Sequence, residues 1–298
     1  MAQDLVLITG ATGMIGFRTL VGLLKDGYTV RAAVRTQESF DRITKLPSLQ
    51  PYLNQLSSVI VPDITVSEAY DEAVKGVKFV VHVASPIPGG GELADPEVTL
   101  IKPAIRGTLS ILESAHKEPS IKRVVITASV ASIASGPKSV TEELITGTYN
   151  LHPRNVLAVL IMLESTRDVN TNRPFANDMA AYSASKALAY QASNDFIKEK
   201  QPTFDVINIM PVYVVGRDET VTEPSNIGKG TNGIAVGPLF GHPLTSSVRG
   251  LSVHVDDVAD MHVRALDLSI PGGQDFLATG ADSESINWAD AIDLVKRR

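Results

Sequence analysis

A tyrosine and a lysine stand four residues apart in Tyr182-Ser-Ala-Ser-Lys186. On a helix, residues i and i+4 share a face, so the two side chains can converge on one point. An ammonium beside a phenol stabilises the phenolate and lowers its pKa towards working pH, which makes the phenol a usable proton donor and acceptor. Ser129 lies just beyond the apolar run 122–127. If that run is a strand of an open α/β sheet, the serine sits at its carboxyl end, where such sheets bind ligands. A hydroxyl there can hydrogen-bond a carbonyl oxygen as negative charge builds on it.

A second constellation suits a nucleotide. The segment Thr9-Gly10-Ala11-Thr12-Gly13-Met14-Ile15-Gly16 spaces its glycines by three and three, between an apolar run and a helical pattern. In that context Gly10 permits a tight turn, Gly13 lets the backbone approach a pyrophosphate, and Gly16 lets the helix pack closely on the sheet. The phosphates would sit at the helix N-terminus, where unpaired N–H groups and the macrodipole favour negative charge. The end of the next strand selects the nucleotide. An acidic residue for a ribose 2′-hydroxyl is expected about 20 positions on, but Arg35 stands nineteen beyond Gly16. A guanidinium can hold a 2′-phosphate with a charge-assisted fork. NADP(H) is therefore expected over NAD(H).

The elements that must position these groups read as alternating strands and helices. Apolar runs at 5–9, 28–35, 57–61, 79–84 and 122–127 predict five strands, and helical spacing is present at 13–25 and 103–116. Continuous apolar strands separated by helices mean βαβ units and a parallel sheet covered on both faces. The expected fold is α/β, a Rossmann-type doubly wound parallel sheet with a smaller C-terminal substrate lobe. Beyond residue 136 the pattern loosens around an apolar helix candidate at 156–163. A helix at 180–198, a strand at 204–210, a helix at 256–268, a strand at 275–278 and a helix from Asn287 onward follow. The dinucleotide-binding domain is expected over 1–135, 179–215 and 252–272, and the substrate lobe over 136–178, 216–251 and 273–298.

Composition narrows the classes further. The chain has 298 residues, 44% hydrophobic and 20% charged, as in globular proteins and unlike disordered ones. It has no cysteine, which excludes disulfides, thiolate catalysis and cysteine metal sites. A net charge of −6 argues against nucleic acid. The longest apolar run, 156–163, is too short to span a bilayer. No basic leader precedes the first strand, so a cytoplasmic protein without a membrane partner is expected. His82, His254 and His262 lack metal-ligand spacing and suit hydrogen bonding, and Asp256 and Asp257 suit the start of the following helix. No metal is expected. Trp288 is expected only to pack, and the loop 86–91 to lie on the substrate side.

With these residues in view, the sequence resembles the extended branch of the short-chain dehydrogenase/reductase family, near dihydroflavonol reductases and fungal or yeast ketone and aldehyde reductases. The matching pieces are the glycine segment 9–16, Val-Arg-Ala-Ala-Val-Arg at 30–35, His-Val-Ala-Ser-Pro at 82–86 and Arg-Gly-Thr-Leu-Ser-Ile-Leu at 106–112. Arg-Val-Val-Ile-Thr-Ala-Ser at 123–129, Tyr-Ser-Ala-Ser-Lys at 182–186 and Val-His-Val-Asp-Asp-Val-Ala at 253–259 complete a series running in order over about residues 4–270.

The resemblance implies a catalytic Ser129, Tyr182 and Lys186, with Tyr182 protonating a ketone or aldehyde oxygen as hydride arrives from the cofactor. It implies cofactor contacts from Thr9, Gly10, Thr12, Gly13, Met14, Ile15, Gly16 and Thr127. It places Arg35 and Arg42 at the 2′-phosphate and Asp63 and Ile64 at the adenine. Ala84, Ser85, Pro86, Pro211 and Val214 would line the nicotinamide side. Pro86, Ile87, Val130 and Tyr213 are candidates to meet a small carbonyl substrate. The chain departs from the family in a longer stretch between Ser129 and Tyr182, in Ala128, and in lacking an Asn-Trp-Tyr-Cys-Tyr signature, which disfavours cinnamoyl-CoA reduction. It also ends at Arg298, short of the expected end of the lobe. A nucleotide-sugar epimerase or dehydratase is one alternative, which Arg35 opposes. A non-catalytic NADP-binding sensor is the other, which the retained Ser129, Tyr182 and Lys186 oppose. A monomer or homodimer is expected.

Overall fold

The computed structural model describes residues 4–87, 95–133, 169–228, 230–240 and 252–280, and the backbone of strands at 147–149, 157–160, 249–250 and 286–287. In chain order the elements are β1 (Leu5–Thr9), α1 (Met14–Lys25), β2 (Thr29–Val34), α2 (Gln37–Thr44), β3 (Leu56–Ile60), β4 (Phe79–His82), α3 (Lys102–His116) and β5 (Arg123–Thr127). Then come β6 (Gly147–Tyr149), β7 (Leu157–Leu160), α4 (Asp178–Lys200), β8 (Asp205–Pro211), β9 (Tyr213–Val215) and α5 (Asn232–Val236). The chain continues with β10 (Arg249–Gly250), β11 (Ser252–His254), α6 (Val255–Arg264), β12 (Gln274–Thr279) and β13 (Ile286–Asn287).

The main sheet runs β3-β2-β1-β4-β5-β8-β12-β7-β6. Its first seven strands are parallel, and β7 and β6 add antiparallel at the edge. Strand order reverses between β1 and β4, and the crevice outside their carboxyl ends is where such sheets bind ligands. Inward-facing Val6, Ile8, Val81, Val125 and Ile207 pack with α1 and α6 on one face, while Leu7, Val80, Val124 and Val206 pack with α3 and α4 on the other. The central strands β1, β4 and β5 are apolar on both sides because helices cover both their faces.

Three expectations are corrected. Within the run 156–163, expected as helix, residues 157–160 are strand β7: a continuous apolar run of eight is short enough that periodicity does not separate helix from strand, and β12 offers an open edge to pair with. Residues 274–279, expected in the substrate lobe, form the seventh parallel strand of the main sheet beside β8. Asn287, expected to begin a helix, pairs with Arg249 in a short antiparallel ribbon. Trp288 and residues 88–91 of the substrate-side loop lie outside the described residues, as does most of 136–168.

At the amino ends of β5 and β8, Arg123 is 1% exposed and uses all five guanidinium protons. Two go to the Asp205 carboxylate at 2.5 and 2.8 Å, and three to the carbonyls of Ala265, Asp267 and Ile270 at 2.7–2.9 Å. The bidentate pair ties β5 to β8, and the three carbonyl bonds lock the end of α6 and the turn after it to the sheet. The start of α6 is capped by His254, whose Nδ1 accepts from the Asp256 N–H. The expected aspartates stand in the first turn instead, where their charge still suits the helix dipole, and Asp256 also pairs with Arg18 of α1 at 2.5 Å. Among the described residues no helix is long and apolar enough to cross a membrane.

Candidate active site

The crevice begins at the glycine turn. Gly10 has φ +73°, and a Cβ there would stand 2.7 Å from the Ala84 nitrogen. A Cβ at Gly16 would stand 2.1 Å from the Gly10 carbonyl oxygen, so α1 approaches the turn as closely as it does only because Gly16 has no side chain. Gly13 caps α1, no side chain caps the first turn, and no acidic residue lies in it. A Cβ at Gly13 would meet nothing nearer than the Gly10 oxygen at 3.8 Å. Open space before an uncapped, uncharged helix start fits a pyrophosphate. Thr12, Met14 and Ile15 are half-buried around it.

Thr9 ties β1 to β4. Its Oγ1 accepts from the N–H groups of Val83 and Ala84, both at 3.1 Å, and lies 2.9 Å from His82 Nδ1. With both acceptor positions taken, the hydroxyl proton goes to His82, which leaves that neutral ring its proton on Nε2. Burial, with the nearby Lys186 charge, pushes the His82 pKa down to about 3. On the far side of β5, His262 Nδ1 donates to the Val258 carbonyl at 2.7 Å and Nε2 lies 2.7 Å from Thr127 Oγ1. Burial lowers its pKa to about 4. All three histidines thus hold hydrogen bonds of the frame.

Towards the expected adenine end, Arg35 follows β2 and Arg42 lies in the last turn of α2. Both are exposed. Neither makes a hydrogen bond or ion pair among the described residues, so both guanidinium groups are available to a phosphate. Asp63 Oδ1 accepts from the Thr65 hydroxyl and N–H at 2.6 and 2.8 Å. The Thr65 bonds hold its carboxyl below the ordinary value and fix the loop after β3. Ile64 packs on Gly107 of α3.

Tyr182 and Lys186 share α4. Asn177 caps it by accepting from the Ala180 N–H at 2.9 Å, Asp178 stands in the first turn, and Lys198 and Lys200 stand in the last. The buried face of α4 carries the small residues Ala181, Ala184, Ser185, Ala189 and Ser193, and α4 packs along α3, with Phe196 edge-on to His116. Lys186, on the buried part of α4, is 9% exposed. Lys186 Nζ lies 5.7 Å from the Tyr182 ring centroid and donates to Ser85 Oγ at 2.7 Å. No carboxylate pairs with it among the described residues. Tyr182 is half-buried, with no hydrogen bond to its hydroxyl among the described residues. Ser129, 8% exposed, follows β5 and begins the helical turn Val130–Ser132, which packs on α4. Its Oγ accepts from the Ala131 N–H at 3.2 Å.

Pro211 ends β8, and Tyr213 and Val214 continue into β9, which pairs in parallel with β11. Val130 and Tyr213 are half-buried, and Ile87 is 74% exposed. Sequence reasoning missed Asn232: its amide donates to the Gly216 carbonyl at 2.8 Å, accepts from the Gly216 N–H at 3.0 Å, and touches Met14 Sδ at 3.5 Å. No local pattern links residues so far apart in the chain. It also missed Ser193 and Asn208, which line a cavity with Lys186.

The chain matches the family described as NAD dependent epimerase/dehydratase over residues 6–160, just over half its length. It is 33% identical over 302 aligned residues to a ketoreductase of Cercospora nicotianae, covering 100% of this chain and 81% of that one. The chain is an extended short-chain dehydrogenase/reductase. Another member, a NAD-dependent epimerase/dehydratase of Alternaria alternata, is 37% identical over 279 residues, 89% of this chain and 73% of that one. The structure of the yeast methylglyoxal/isovaleraldehyde reductase complexed with NADPH aligns with TM-score 0.69 at 26% identity, over 92% of this chain and 78% of that one. The extended short-chain dehydrogenase/reductase described here is an oxidoreductase.

Proposed function

We propose that this protein reduces a ketone or aldehyde with NADPH, and that Tyr182 is the proton donor to the carbonyl oxygen. The observation that carries the reading is the buried Lys186 ammonium 5.7 Å from the Tyr182 ring, at the carboxyl ends of β4 and β5. The bound cofactor supplies the hydride. Tyr182 gives up its phenolic proton, and Lys186 stabilises the phenolate left behind. Ser129 spends one lone pair on the Ala131 N–H, which turns its own proton towards the carbonyl oxygen. Arg35 and Arg42 hold the 2′-phosphate, with Asp63 and Ile64 at the adenine. Thr127, Ala84, Ser85, Pro86, Pro211 and Val214 flank the nicotinamide end. Ile87, Val130 and Tyr213 meet the substrate. Relatives named as a ketoreductase and as an aldehyde reductase complexed with NADPH support the substrate class and the cofactor.

The test follows cofactor absorbance with NADPH and NADH separately against aldehydes, keto esters, diketones and aryl ketones. Turnover with NADPH is expected, and Tyr182→Phe should lose roughly a hundredfold or more of it while still binding NADPH. A Tyr182→Phe enzyme of full activity, or a wild-type enzyme that turns over no carbonyl, overturns the proposal.

A further inference from the structure

The last bond of β5 to β8 is made by Ala128, whose N–H donates to the Ile209 carbonyl at 2.8 Å. Ser129 follows with extended backbone, φ −164° and ψ 152°, and the chain then turns through Val130–Ser132. The neighbouring strand no longer serves the Ser129 main chain, so its N–H and carbonyl need other partners. One residue supplies them. Ser132 Oγ accepts from the Ser129 N–H at 3.3 Å and donates to the Ser129 carbonyl at 2.6 Å, and the Ser132 N–H reaches that carbonyl at 2.9 Å. Among the described residues, every main-chain hydrogen bond of Ser129 goes to Ser132.

Ser132 is 1% exposed and Ser129 8%. A buried hydroxyl is costly unless it is hydrogen-bonded, and this one spends both its bonds on a single neighbour. Helix capping alone does not account for it. Reciprocal bonds of this kind ordinarily start a helix of several turns, whereas the turn here has three residues. What Ser132 does hold is the peptide on each side of Ser129, and with it the direction of the Ser129 Cα–Cβ bond. The turn packs on α4, the helix that carries Tyr182. The Ala131 N–H takes one lone pair of Ser129 Oγ at 3.2 Å, which leaves the hydroxyl its proton and a second lone pair.

We propose that Ser132 is a positioning residue for Ser129: its buried hydroxyl fixes the Ser129 backbone so that the Ser129 hydroxyl points at the carbonyl oxygen of the substrate. Ser132 acts only through Ser129, and the inference rests on the proposed reduction, in which Ser129 bonds that oxygen. Without the Ser132 hydroxyl, the buried Ser129 N–H loses its acceptor. Leaving it unpaired is costly, so the peptide turns towards another partner and carries the Ser129 side chain with it. A hydrogen bond to a developing negative charge weakens steeply with such a loss of distance and angle.

The experiment is a double-mutant cycle on the full chain. Wild type, Ser132→Ala, Ser129→Ala and the double variant are compared by kcat per folded molecule in NADPH-dependent carbonyl reduction, by NADPH titration and by Tm. Ser129→Ala should lower kcat roughly a hundredfold, and Ser132→Ala about tenfold, both with NADPH affinity unchanged. In the Ser129→Ala background, the further change Ser132→Ala should alter kcat by less than about twofold, because the group it positions is gone. A lowered Tm with kcat per folded molecule unchanged in Ser132→Ala overturns the proposal, and so does an equal loss of kcat in both backgrounds. If Ser132→Ala does not fold, Ser132→Cys, of similar shape and with a weakly bonding thiol, replaces it in the cycle. If wild type reduces no carbonyl, the proposed reaction fails, while crystal structures of wild type and variant still decide the positioning. A Ser129 Oγ displaced by about 1 Å in the variant supports it, and a superimposable Ser129 overturns it.

Discussion

Acidification from pH 7.5 to 5.0 should remove about 4 kcal/mol of folding stability, nearly all of it through two histidines. His82 and His262 are 2% and 0% exposed, and burial holds their folded pKa values at about 3 and about 4. Protonating His82 would put a second proton on Nδ1, facing a Thr9 oxygen whose lone pairs are already bonded to Val83 and Ala84. Protonating His262 would turn Nε2 into a donor against Thr127. In the unfolded chain a histidine titrates near 6.5. The folded values lie below that, so between them and pH 6.5 the unfolded state binds protons that the folded state refuses, and stability falls as pH falls. At pH 5.0 the unfolded imidazole is roughly 1.5 units below its pKa, and at ~1.36 kcal/mol per unit each histidine withdraws about 2 kcal/mol. Asp71 and Glu118, whose pKa values are lowered, act in a lower window: their contribution is present above the unfolded carboxylate pKa and is lost below it. Urea unfolding at several pH values between 7.5 and 5.0, with m held common, measures the effect. His262→Gln should halve the slope. Stability that stays flat to pH 5.0, or a slope unmoved in that variant, would refute the argument.

Three further outcomes follow from other parts of the structure. Gly16→Ala would put a Cβ 2.1 Å from the Gly10 oxygen; it should cost about 3 kcal/mol and weaken nucleotide binding tenfold or more. Thermal unfolding and NADPH fluorescence titration read both effects. Arg123→Met leaves Asp205 and three carbonyls without their donor, and should cost about 3–5 kcal/mol in urea unfolding with kcat per folded molecule unchanged. Arg35→Ala should raise the NADPH KM by roughly 10–100-fold, the worth of a charged hydrogen-bonded contact, and leave the NADH KM unmoved in steady-state assays.

The parallel strands were legible because each is a short apolar run, the form a strand takes when helices cover both its faces. The pairing of Tyr182 with Lys186 was legible too, since a four-residue spacing on one helix is a local property, and so were the tight turn at Gly10 and the close approach at Gly16. Arg35 could be placed by counting along the chain. The rest depended on partners distant in sequence. The run 156–163 was expected as helix, and the free edge of β12 made residues 157–160 of it a strand. Gln274–Thr279 joined the main sheet because β8 had an unpaired side. Nothing near Lys186 in the chain points to Ser85, nothing near Thr9 to His82, and nothing near Ser193 to Asn208. Covalent spacing alone determined the glycine turn and the tyrosine–lysine pair, because both are complete within a turn or two of backbone. Strand register decided the frame that buries Lys186, holds the histidines neutral and encloses the cavity behind them, because hydrogen-bond partners on different strands are chosen only when the strands align.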